Sequence, residues 1–265
     1  MPNKKNRIVV QRNLLKQKRN LLAKQVEDKT LDSVREMFKD TVMFSLGYNC
    51  DAKIFIRKLF KNNNPSQLFD WIGIPLWGIN KMLNTDFENF FKTDDMIPYK
   101  FDKYSTLMKK EYFMRFLHER LFLKYRKFDQ LFKKKYERRI DRFKELLNGD
   151  KKIVFVVLEE NRPGRIESLP DELKQHYPTS GENYHKDQHE MSKKQMAEFC
   201  EIIKTKYGNS NFKVLYFSDF DGDEDTDDVM FMKLEGSTND NLRKFEPFLK
   251  SIIKRPDEVV KHISN

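Results

Sequence analysis

Two cysteines stand 150 positions apart in this sequence, in different surroundings. Cys50 closes the run TVMFSLGYNC and precedes DAKIFIRKLF, where Ala52, Phe55, Ile56 and Leu59 recur at helical spacing. That places the thiol at or near a helix start, where backbone N–H groups without intrahelical acceptors favour thiolate. Thiolate is the attacking form of cysteine, so the position suits a nucleophile; the plainer reading is a small residue packed in a core. Cys200, inside QMAEFCEII, lies on or beside an apolar helical face and reads as core.

Other chemistry-bearing groups are weaker. HKDQH sets His185 and His189 at i and i+4, as zinc peptidases do, but those need Glu directly after the first His and Lys186 stands there. No further Cys or His pair completes a site, so no metal and no cofactor is expected. The run Asp219, Asp221, Asp223, Asp225, Asp227, Asp228 departs from a calcium loop: Gly222 comes too early, and Met230 replaces the bidentate Glu. It reads as a solvated acidic loop, with loose divalent-ion binding as the alternative. Lys133, Lys134, Lys135, Arg138, Arg139 and Arg142, interleaved with Tyr136 and Phe143, could face phosphates, yet Glu137, Asp141 and Glu145 supply i,i+4 partners. An ordinary charged helix follows. Gly-rich phosphate loops are missing.

The elements that must position these groups follow from periodicity. Thr41 to Leu46 reads as a buried strand, Gly47 and Asn49 as a turn, and Asp51 onward as a helix. Asn62 to Pro65 breaks the chain; a helix from Pro75 or Leu76 to Leu83 follows, with DFENFF as a short helix or turn. Further expectations are a strand over Glu111 to Leu117, a helix over Asp129 to Leu147, and the strand KKIVFVVLE. Residues Glu160 to Glu190 read as loop, with a short helix near Pro170 to Gln175. A helix over Ser192 to Lys206 capped by Ser192, strands NFKVLYFS and VMFMKLEG, and a terminal helix from Asn239 to Lys254 complete the chain. Strands separated by helices predict an α/β layered domain with a mostly parallel central sheet flanked by helices.

The 265 residues suffice for a large core, and 23 Phe and 10 Tyr supply its material although 35% of residues are charged. The net charge of +10 is uneven: Lys4, Lys5, Arg7, Arg12, Lys16, Lys18, Arg19 and Lys24 precede any acidic residue. A basic N-terminal arm over 1–38 and a single α/β domain over 39–265 are therefore expected. Residues 1–25 would be solvated or laid on the domain, or would contact nucleic acid or an acidic partner. Few cysteines, no secretory h-region and no run of 18 apolar residues predict a cytoplasmic, intracellular protein without a membrane span.

SLGYNC, then SQLFDWI about twenty residues on, EYFMRFLHE, and the KYERRIDRFKELL helix leading into IVFVV together resemble the papain-like cysteine peptidase family. This domain of unknown function is found in bacteria and large DNA viruses, and the likeness runs from about Thr41 to Leu158. It implies Cys50 as nucleophile, His118 as base and Asp70 as the carboxylate orienting the ring, with Glu119 where the family has its usual acidic residue. Backbone N–H groups near Asn49 to Asp51 would stabilise an oxyanion, and Arg138 or Arg139 would hold a carboxylate or phosphate near the site. A peptide or other acyl substrate is implied. Papain itself is α+β, which is the alternative to the layered reading. The competing functional reading is a non-catalytic binding module that works through the basic arm.

Overall fold

The computed structural model describes residues 29–47, 51–60, 65–101, 104–116, 130–159, 174, 184–234 and 245–265. Asn49, Cys50, His118, Glu119, the first 28 residues of the basic arm and, of the expected Glu160–Glu190 loop, nearly all of residues 160–183 lie outside them. The chain divides into two compact units, Met1–Lys39 and Asp40–Asn265. In the first, residues 29–37 form a helix in which Ser33 Oγ donates to the Lys29 carbonyl at 3.1 Å.

In the second, β1 (Thr41–Ser45), β5 (Lys152–Leu158), β6 (Phe212–Ser218) and β7 (Val229–Lys233) form a wholly parallel sheet in the order β1-β5-β6-β7. The architecture is α/β. Register is set by Phe44 opposite Phe155, Phe155 opposite Val214, and Val214 opposite Val229. Every residue of β5 after Lys152 is buried, because helices cover both of its faces and neither can be polar. Over one face lie α1 (Asp51–Leu59) and α5 (Phe245–Lys254), where Phe55 stacks on Phe248 at 5.1 Å and Phe248 meets Phe217 at 4.8 Å. Over the other lie α3 (Gln130–Leu147) and α4 (Tyr184–Lys206): Phe143 meets Phe44 at 5.0 Å and Phe199 meets Phe155 at 5.1 Å. Here α2 (Leu76–Asn84) packs along α4, and Asn80 Nδ2 donates to the Gln195 carbonyl at 2.8 Å.

Three local expectations are corrected. The region around Glu111–Leu117 is a 3₁₀ turn, Lys110–Tyr112, followed by a two-residue strand β4 (Met114–Arg115). That strand closes an antiparallel sheet with β2 (Met96–Phe101) and β3 (Tyr104–Lys109), in which Pro98 is tolerated because β2 lies at an edge. The helix assigned to start at Ser192 begins at Tyr184, so Ser192 is interior and buried and accepts a hydrogen bond from Gln188 Nε2 at 3.4 Å. Proline at the first position of α6 (Pro256–Ser264) separates it from α5, giving two helices near the C-terminus. Among the described residues no helix is long and apolar enough to cross a membrane.

Candidate active site

The loop that leads to Cys50 leaves β1 through Leu46, whose N–H donates to the Val156 carbonyl at 3.0 Å, and then Gly47. Gly47 has φ +52°, and a Cβ there would stand 2.4 Å from the Ile74 carbonyl oxygen. Only glycine fits. The chain resumes at Asp51, the first residue of α1, so Cys50 is covalently bonded to a helix start.

Three positions after Cys50, Lys53 points inward. Its side chain is 2% exposed, and Nζ lies 2.7 Å from Asp70 Oδ2 and 3.4 Å from the Pro65 carbonyl. Asp70, 1% exposed, accepts a second hydrogen bond on Oδ2 from the Gln67 N–H at 2.7 Å, while buried Oδ1 has no hydrogen-bond partner among the described residues. Burial raises the Asp70 carboxyl above its usual range, against the opposing pull of Lys53, the Gln67 amide and Arg139. Immediately after it, Trp71 adopts φ +67°, a left-handed conformation costing about 1–2 kcal/mol for a residue with a side chain. The flanking Phe69, Asp70 and Ile72 are all buried, which holds the turn against that cost. The Arg57 guanidinium of α1 lies 5.6 Å from the Trp71 ring centroid, a second link between the helix and this turn.

Gly73 then forms an antiparallel bridge with Arg115, its N–H donating to the Arg115 carbonyl at 2.9 Å and its carbonyl accepting from the Arg115 N–H at 2.8 Å. Of the two arginines singled out in α3, Arg138 is exposed and Arg139 is buried with its guanidinium 5.1 Å from the Tyr136 ring centroid. Arg142 Nη2 donates to the Ser66 carbonyl at 2.8 Å. The structure thus brings together Lys53, Asp70, Arg139 and Arg142 beside the start of α1. Lys53 escaped the sequence reading, and Arg142 entered it only as a member of the basic cluster of α3. The spacing of Lys53 from Cys50 was the available signal for the first.

A family model described as "Putative papain-like cysteine peptidase (DUF1796)" matches residues 41–176, just over half of the chain. The chain belongs to this family. No curated protein and no solved structure is significantly similar to it. The papain-like cysteine peptidase match includes β1, α1, the Asp70 turn, all of the antiparallel sheet, α3 and β5, and ends before α4.

The acidic run is a largely exposed loop, as expected, and four of its carboxylates pair with cations, Asp221 with Lys233 at 3.0 Å, Asp223 with Lys193 at 2.7 Å, and Asp225 with Arg255 and Asp228 with Lys204, both at 2.6 Å. His185 is exposed on α4 while His189 is buried between Glu159 and Asp223. Among the described residues no group of three or more His, Cys, Asp or Glu side chains is arranged to hold a metal. Cys200 is buried, and burial pushes its thiol up to about 12.

Proposed function

We propose that this chain is a cysteine-dependent hydrolase or acyl-transfer enzyme of the peptidase type, with Cys50 as nucleophile, His118 as base and Asp70 as the carboxylate that orients the ring. The observation that carries the reading is the placing of Asp70. Through Oδ2 and Lys53 it is tied to the helix that follows Cys50 directly in sequence. The antiparallel Gly73–Arg115 bridge joins the two stretches that matter, for Asp70 lies three residues before Gly73 and His118 three residues after Arg115. Each of those separations spans at most about 11 Å of extended chain. Asp70 Oδ1, buried and without a hydrogen-bond partner among the described residues, is the oxygen such a carboxylate would offer to an imidazole N–H.

In the reaction the Cys50 thiol gives its proton to His118 and the sulfur adds to the acyl carbon. The imidazolium returns the proton to the leaving amine as the C–N bond breaks, leaving a thioester. Water then attacks the thioester, its proton passes to His118, and cleavage of the C–S bond restores the thiolate. First-turn amides around Asn49 to Asp51 would face the developing oxyanion, in the field of the helix start. Arg139 and Arg142, within electrostatic range of Asp70, would keep that carboxylate ionised as the imidazolium forms.

Competitive alkylation tests this directly, with Cys200 as the internal control. Cys50 is expected to react with iodoacetamide at least tenfold faster than Cys200 in the folded chain near neutral pH. Equal and slow labelling of the two would overturn the assignment.

A further inference from the structure

At the ends of β5 and β6, with all but Glu159 of its side chains beyond the family match, lies a second buried ionic centre. Glu159 follows β5 directly, its N–H donating to the Phe217 carbonyl at 2.8 Å and its side chain 2% exposed. His189 of α4, 3% exposed, has Nδ1 2.7 Å from Glu159 Oε2 and Nε2 2.6 Å from Asp223 Oδ2. Each ring nitrogen faces a carboxylate oxygen, so each must donate, and the ring is an imidazolium. Burial opposes its charge, but the hydrogen bonds and charges of Glu159 and Asp223 outweigh burial and raise the His189 pKa. Phe220 stacks on the ring at 4.2 Å and 18°. Glu159 and Phe220 therefore hold an imidazolium whose Nε2–H is directed at Asp223. One turn on, Lys193 Nζ reaches the other oxygen of the same carboxylate, Asp223 Oδ1, at 2.7 Å. Two cationic donors on one helix face thus grip both oxygens of a single carboxylate.

We propose that His189 and Lys193 form a carboxylate-binding cradle for an acidic peptide, filled in this structure by Asp223 as an internal, displaceable stand-in. Three observations distinguish a stand-in from a simple loop anchor. The loop does not depend on Asp223, since Asp221, Asp225 and Asp228 each have a cation of their own from β7, the start of α6 and α4. Gly222, next to Asp223, has φ +86° with open space where a Cβ would be, so a pivot adjoins the gripped residue. A cavity of about 400 Å³ opens beside Asp223, lined by Phe220, Gly222, Phe231, Lys233 and Arg255, and would receive the rest of a ligand.

The cradle and the last residues of β1 lie at the same, carboxyl-terminal end of the parallel sheet. β1 and β6 both pair with β5, so their ends stand roughly 10 Å apart, the span of about three extended residues. A peptide whose carboxylate occupied the cradle could therefore reach the end of β1, from which the chain runs to Cys50. That use of the cradle as a substrate subsite rests on the proposed acyl-transfer function; the cradle itself does not.

Titration of the full-length chain with N-acetyl-aspartate amide and with N-acetylglycine, read on the backbone amide resonances of residues 218–233 by NMR, tests the cradle without any activity assay. D223A is expected to bind a carboxylate saturably and at least tenfold more tightly than the wild type, where Asp223 competes from within. Binding should vanish in D223A/H189Q and D223A/K193M. Preference for N-acetyl-aspartate amide would identify an acidic side chain as the ligand, and preference for N-acetylglycine a chain terminus. D223N serves as the second opened variant should D223A fail to fold. Absence of saturable shifts in a folded opened variant, or binding that survives D223A/H189Q, overturns the cradle. Neither result bears on Cys50 labelling, so failure of the cradle and failure of the proposed chemistry remain separate.

Discussion

The two buried ionic centres of this molecule are built alike and behave oppositely. Around Asp70 a carboxylate is closed in with Lys53, both nearly inaccessible, and the pair joins a helix start to a left-handed turn. Around His189 the cation is an imidazolium, and the outer carboxylate, Asp223, sits on a loop and keeps 13% of its surface exposed. The first is a latch of two side chains removed from solvent. The second is titratable through its histidine, whose pKa the carboxylates Glu159 and Asp223 raise against burial. A site that must hold one geometry is served by the first kind, and a site that exchanges ligands by the second.

The sharpest break in that contrast is at the latch. K53M or D70N should destabilise the fold by about 3–5 kcal/mol, because each leaves a buried charge without its partner. The double variant K53M/D70N should cost clearly less than the sum, as coupled buried pairs do. Urea denaturation of the three variants measures this, and additive losses would show that the two side chains are not coupled. Next in size is G47A, expected to cost about 2–4 kcal/mol from the left-handed backbone and the clash with the Ile74 carbonyl.

At the titratable centre the effect depends on pH. His189 has a raised pKa when folded, so its stabilisation is complete below its unfolded value of about 6.5 and is lost as pH rises through the folded value. H189Q should therefore lose about 1–3 kcal/mol at about pH 6, with the gap to wild type narrowing in alkaline solution. A gap independent of pH would mean that the ring is not charged in the folded chain. The smallest effect belongs to the outer loop pairs. D225N, which weakens the half-exposed contact with Arg255, should shift stability by about 0.2–1 kcal/mol and less in high salt.

Much of the parallel layer was legible in the sequence because its signals are continuous. KIVFVVL and FKVLYFS are unbroken apolar runs, and the start of α1 at Asp51 follows from its helical stripe. The β2–β3 pair was missed because Pro98, Lys100, Lys103 and Ser105 interrupt any alternation, and its strands are stabilised by pairing that composition does not reveal. The first two turns of α4 were missed for a related reason. Gln188, His189 and Ser192 occupy its buried face, so the stripe is polar there and the apolar period is silent. At the candidate site, motif order singled out Asp70, but its partner Lys53 is one lysine among many and only folding distinguishes it. The acidic loop was read as solvated and is largely exposed, but the cations that pair with it lie on β7, α4 and the residue before α6, remote in sequence.

The central claim is that the Cys50 sulfur is held as thiolate by an imidazole that Asp70 orients. It is tested most directly by the pH dependence of Cys50 alkylation in the wild type and in H118Q. The account predicts a wild-type profile with a thiol pKa well below the unperturbed 8.5 or so, moving up toward that value in H118Q while Cys200 remains slow in both. A Cys50 profile near 8.5 in the wild type, unchanged by H118Q, would contradict it.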